Sequence, residues 1–191
     1  MNKKTNALTE EQYKEIITYL KSGFMGIRPN ERIATALVLE ANLGLRISDI
    51  LKLRFCDIIR DGNRYRLEIV KQKTGKLRSF TVPLVIQQYV ENYCLRNGIR
   101  RDERIFPITE RAVQKQLALV CDYLGYEGIS THSFCKWYAT EIYKSNGYDI
   151  ALPNGYCNIA VQLLPSGTSV LSHSESRKPS RTRHNCCRVR M

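Results

Sequence analysis

Apolar positions recur every three or four residues in the first part of the chain, then alternate, then return to the wider spacing. Tyr13, Ile16, Ile17 and Leu20 share one helical face, and Thr9 with Gln12 three residues on makes a capping box ahead of them. A second helix is expected from about Asn30 through Ala41, stopped by a left-handed Gly44. Ser48 reads as the N-cap of a short third helix through Leu53, with Asp49 in its first turn. Residues 65–70 and 77–82 alternate as strands do, and Lys71 to Lys76 between them reads as a hairpin loop. Pro83 opens a fourth helix through Ile86, Tyr89, Val90 and Tyr93 to Gly98. Thr109 caps a fifth, carrying Val113, Leu117, Val120 and Leu124 and stopped at Gly125. A sixth runs from Thr131 to Ser145, with Phe134, Trp137, Tyr138, Ile142 and Tyr143 on its apolar face.

This pattern predicts a mainly α fold with a small antiparallel β-sheet, an α+β domain over residues 1–152. Beyond Leu152 the periodicity fails. Pro153-Asn154-Gly155 signals a turn, and from Leu171 onward Ser, Arg, Pro and His dominate. Residues 153–191 are therefore expected to form an aberrant, disordered basic tail.

Composition adds a class of partner. Lysine and arginine outnumber acids 30 to 18, a formal charge of +12 over 191 residues. That excess favours a polyanion, because every neutralised phosphate releases condensed counterions. A merely soluble basic protein would show the same excess. No apolar run approaches the roughly 18 residues that span a bilayer, and the first residues lead into a charged helix. A cytoplasmic protein without a membrane partner is expected. The cysteines, Cys56, Cys94, Cys121, Cys135, Cys157, Cys186 and Cys187, form no Cys-x-x-Cys pair, which fits reduced thiols and neither a metal site nor a cofactor.

Three stretches carry candidate chemistry. In Gly44-Leu45-Arg46-Ile47-Ser48-Asp49 an arginine sits in a tight link between helices, where its forked guanidinium matches two phosphate oxygens. The plainer reading is a surface arginine paired with Asp49. Lys73-Thr74-Gly75 puts a lysine on a two-stranded finger able to reach a groove and deliver a proton; the plainer reading is a solvated basic turn. In Thr131-His132-Ser133-Phe134-Cys135 the histidine of a first helical turn could offer a ring nitrogen to phosphate, or be structural.

In order and spacing these stretches together resemble the tyrosine recombinase (phage integrase) family, over roughly Leu8 to Leu152. The first arginine motif of that family is similar to residues 44–49, its hairpin lysine to Lys73, and its His-x-x-Arg motif to His132 through Cys135, followed by Ala139-Thr140. The resemblance implies a short, single-domain form that binds double-stranded DNA, and possible assembly with other recombinase subunits. It implies strand transesterification with neither metal nor cofactor. A tyrosine hydroxyl attacks the scissile phosphate while arginines and a histidine hold the developing charge. Arg46 would be the first clamp, His132 a donor to a phosphate oxygen, Lys73 the acid for the leaving hydroxyl, and Asp49 a supporting residue.

Two departures shape the expectation. Cys135 stands where the family has its second arginine, and losing such a donor raises a barrier by about 3–4 kcal/mol. No Leu-Gly-His-like motif and no matching tyrosine follow Leu152; Tyr156 lies beside a turn, Tyr148 is too early, and Tyr143 is expected to be core. No nucleophile is assigned. Shifted by one base, degenerate codons for residues 154–161 are compatible with Gln-Arg-Leu-Leu-Gln-His-Ser-Ser, so a frameshift near Leu152 is expected. The sequence thus predicts a DNA-binding recombinase domain impaired in cleavage. The alternative is a non-catalytic DNA-binding regulator derived from one.

Overall fold

The computed structural model describes residues 5–70 and 77–145. Helix α1 (Glu10–Ser22) begins at Thr9, whose hydroxyl accepts from the Gln12 N–H at 3.2 Å while Gln12 Oε1 accepts from the Thr9 N–H at 3.0 Å. Its buried face is Tyr13, Ile16, Ile17 and Leu20, the face read from the pattern. Helix α2 (Glu31–Leu43) is capped by the Asn30 side chain and is buried along nearly its whole length, the central helix of the core. Gly44 ends it in the left-handed conformation at φ 61°.

Helix α3 (Ile47–Ile50) is a single turn. Arg46 rather than Ser48 is its N-cap, and no side chain caps it. The start moves two residues upstream because Leu45 and Ile47 both seek the core, at 4% and 3% exposure. Burying both fixes the chain direction before Ser48 is reached.

A 3-10 turn at Phe55–Asp57 leads into β1 (Ile58–Asp61), a strand the alternation did not reveal; only Ile58 of its four residues is buried. It pairs antiparallel with β2 (Arg64–Val70), which pairs antiparallel with β3 (Leu77–Val82), giving the order β1-β2-β3. The β2–β3 register runs from Tyr65 opposite Val82 to Val70 opposite Leu77. The expected hairpin loop lies outside the described residues, and with it Lys73. Leu67 and Val82 send their side chains into the core.

Helix α4 (Leu84–Arg96) follows Pro83, and α5 (Glu110–Leu124) runs from the Thr109 cap to a left-handed Gly125 at φ 71°. Helix α6 (Thr131–Ser145) packs on α2. Its inner face is Thr131, Ser133, Phe134 and Trp137. Tyr143, expected in the core, is 39% exposed. The mainly helical α+β expectation holds for the described residues; the boundary at residue 152 and the tail lie outside them.

Candidate functional site

The site is built where the end of α2 meets the first turns of α6. Gly44 is required there twice over. Its φ of 61° is unfavourable for any residue with a Cβ, and a Cβ added to it would lie 2.2 Å from a ring carbon of Tyr138. The Tyr138 ring therefore lies directly on the backbone of the link. The next carbonyl, that of Leu45, accepts the Cys135 thiol at 3.1 Å. Two residues of α6, one helical turn apart, thus hold the two residues that precede Arg46.

The Arg46 backbone carbonyl accepts from Asp49 at 2.9 Å and from Ile50 at 3.0 Å, which rigidifies the α3 turn. The side chain itself is exposed. Among the described residues no carboxylate lies within ion-pair distance of it, so the pairing with Asp49 that the sequence left open is not made. Asp49 is half-buried within the turn. Among the described residues the result is an exposed guanidinium without a carboxylate partner, on a short turn held by backbone hydrogen bonds.

His132 is exposed in the first turn of α6, one turn ahead of Cys135. The helix start beneath it is well defined: the Ser130 N–H donates to Ser133 Oγ at 3.1 Å and the Ser133 N–H donates to the Ser130 carbonyl at 2.9 Å. Because α6 presents His132 and also holds the Leu45 carbonyl, the elements bearing Arg46 and His132 are fastened to each other.

Cys135 is half-buried, and its thiol lies 3.2 Å from Glu40 Oε1 as well as 3.1 Å from the Leu45 carbonyl. Burial, then the neighbouring Glu40, push the thiol up to about 12, with Arg46 pulling weakly the other way. Such a thiol stays protonated and is neither nucleophile nor cation. A cation is what the resembled family would put at this position.

Glu40 is the residue that sequence reasoning missed. It is 1% exposed, in the middle of α2, and its Oε2 makes no hydrogen bond of good geometry among the described residues. Desolvation raises its carboxyl to about 8, Glu110 adds to the rise, and the Cys135 thiol and Ile47 backbone N–H oppose it. Near neutral pH it is therefore largely protonated. One signal was available: Ile33, Leu37 and Glu40 follow helical spacing toward Gly44, so an acid occupies a position the pattern assigns to the interior.

The described cysteines, Cys56, Cys94, Cys121 and Cys135, are free thiols, and among the described residues no three His, Cys, Asp or Glu side chains gather as a metal site would require. No described helix is long and apolar enough to cross a membrane.

A three-stranded meander set into a bundle whose α2–α3 link is clasped by a later helix defines a fold class before any sequence likeness does. No family model and no curated protein matches the chain. Among solved structures it is similar to the XerH site-specific recombinase bound to difH substrate in a pre-cleavage complex. That match has a TM-score of 0.58 at 17% identity and covers 83% of this chain and 50% of that one. The lambda integrase dimer bound to a COC′ core site gives 0.58 at 16% identity, covering 93% and 52%. The Tn1549 transposon integrase in complex with circular intermediate DNA gives 0.53 at 13%, covering 86% and 58%. The chain thus has the fold of a tyrosine recombinase catalytic domain, and it spans about half the length of the structures it matches.

Proposed function

We propose that this chain is a recombinase-type domain that grips a backbone phosphate of double-stranded DNA with Arg46 and His132 but is impaired in strand transesterification. The observation that carries the reading is the exposed guanidinium of Arg46. Among the described residues it has no carboxylate partner, and the hold that Cys135 and Tyr138 exert on the link fixes its backbone. A surface arginine with no such role has little reason to sit on a clasped link. Lys73, by its place between β2 and β3, is the candidate acid for the leaving hydroxyl, and Asp49 supports the α3 turn. DNA recognition is also consistent with the net charge of +12 and with the DNA-bound state of the similar structures.

Impairment follows from Cys135. A phosphorane developing at Arg46 would need a second fork of donors, and a neutral thiol whose single S–H is shared between Glu40 and the Leu45 carbonyl supplies none. Losing one such donor lowers turnover by about 10²–10³. That arrangement also favours a second reading, a non-catalytic regulator that occupies sites or competes with intact recombinases. A thiol turned to Glu40 and Leu45 leaves binding at Arg46 intact while withdrawing chemistry. Assembly with other recombinase subunits belongs to both readings.

A nicked suicide duplex incubated with the full chain tests the proposal. Salt-sensitive binding, weakened about tenfold by Arg46→Ala, and no covalent DNA–protein adduct are expected. Cys135→Arg is the comparator, expected to bind more tightly than the parent. A trapped adduct would disprove the impairment; binding indifferent to Arg46→Ala would remove the phosphate site.

A further inference from the structure

Past α3 the chain runs extended through Arg54, and the segment after α4 returns alongside it. The Ile105 N–H donates to the Leu53 carbonyl at 2.9 Å and the Cys56 N–H to the Arg101 carbonyl at 2.9 Å, with Arg54 and Arg104 opposed in an antiparallel bridge between them. Directly opposed residues send their side chains to the same face. Leu53, Phe55, Ile105 and Phe106 are buried, so the alternation turns Arg54 and Arg104 outward together, and both are exposed. Arg101, whose carbonyl takes the Cys56 N–H, is exposed close by in the chain, with its guanidinium 5.1 Å from the centre of the Phe55 ring.

Like charges placed directly opposite are unfavourable, and a surface evolved only for solubility would answer them with carboxylates. Here the nearby acids are engaged elsewhere. Asp102 and Glu103 pair with Arg100 at 3.6 and 3.2 Å. Asp57 accepts from the Arg54 N–H at 2.8 Å and from the Cys56 thiol at 3.9 Å. Among the described residues no carboxylate lies within ion-pair distance of Arg54, Arg101 or Arg104.

We propose that Arg54, Arg101 and Arg104 form a second contact to the sugar–phosphate backbone of the duplex, distinct from the phosphate site at Arg46. The inference rests on the reading of the chain as a DNA-binding domain. Arg46 and Arg54 stand at the two ends of one short stretch of chain, so a partner engaging both must present a row of phosphates rather than a single anion. Two forked guanidiniums opposed on the bridge, with Arg101 beside it in the chain, suit such a row, and binding it relieves the repulsion the bridge imposes. The contact reads no sequence; it fixes how the domain lies along the duplex.

The test is the salt dependence of binding between the full chain and a short random-sequence duplex. Each phosphate contact contributes about 0.9 to the slope of log affinity against log salt. Combined Arg54→Gln, Arg101→Gln and Arg104→Gln substitutions should lower that slope by about 2–3 and leave the melting temperature unchanged or raised. Arg104→Gln alone, the smallest disturbance, should lower it by about 0.9. A parent that binds and a triple variant with the same slope would overturn this second contact while leaving the Arg46 site standing. Tighter binding to polyglutamate than to the duplex, lost in the triple variant, would also overturn it and make the surface a protein contact. No duplex binding by the parent would bring down the DNA reading itself.

Discussion

On one side of α6 Trp137 stacks on Tyr13, ring centroids 4.7 Å apart and planes 6° from parallel, with Phe134 edge-on to the same ring at 6.2 Å. Further round the same helix Tyr138 covers Gly44, and Cys135 reaches the Leu45 carbonyl and the carboxyl of Glu40. The first contact is aromatic packing, dominated by burial and dispersion. The second contains a buried acid with one oxygen that finds no hydrogen bond among the described residues, and a glycine that tolerates no side chain. One helix therefore anchors itself through the core and also holds the α2–α3 link.

Removing the anchor should have the largest effect. Trp137→Ala strips a side chain 2% exposed from the stack and should destabilise the domain by about 3–5 kcal/mol, read from the midpoint of urea unfolding. A loss under 1 kcal/mol would mean that the link, not the core, holds α6 in place.

Next comes the link itself. Gly44→Ala forces a Cβ into a left-handed conformation and against the Tyr138 ring, for a loss of about 2–4 kcal/mol. Adding Tyr138→Ala to it should return the clash component but not the backbone component. Full recovery by the second change would show that φ at Gly44 is not the constraint, and no recovery that the ring is not.

The smallest expected change is a gain. Glu40 has a folded value of about 8 against 4.5 for the free group, so the folded chain holds a proton there that the unfolded chain releases. Its stabilising contribution is whole below about pH 4.5 and drains away as pH rises through about 8. Glu40→Gln keeps the shape without the ionisation and should stabilise the domain increasingly as pH rises from about 4.5 toward 8, with no gain below pH 4.5. Unfolding midpoints for parent and variant across that range would check it; parallel curves would mean Glu40 is not held neutral.

The two contacts of α6 also differ in how readily they could be read. The capping box at Thr9 and the caps at Asn30 and Thr109 are contained within four consecutive residues each, and the left-handed stops at Gly44 and Gly125 need no distant partner. The strand pair was legible because alternation survives in Tyr65–Val70 and Leu77–Val82, whereas β1 has a single buried residue and left no pattern. Of the candidate site, Arg46, Asp49, His132 and Cys135 were recognisable as residues in a spacing. What each touches was not: Arg46 could have paired with Asp49 and does not, and Tyr143 could have been core and is exposed.

The amino-acid order by itself determined the order of the helices, the caps and stops of α1, α2 and α5, and the β2–β3 pairing, since those follow from bonds and spacings that close within a few residues. Only the folded chain decided that α3 starts at Arg46, that Glu40 is sealed beneath Cys135, and that Arg54 meets Arg104. Each joins residues dozens of positions apart, where neighbours are set by which apolar faces bury together rather than by local preference.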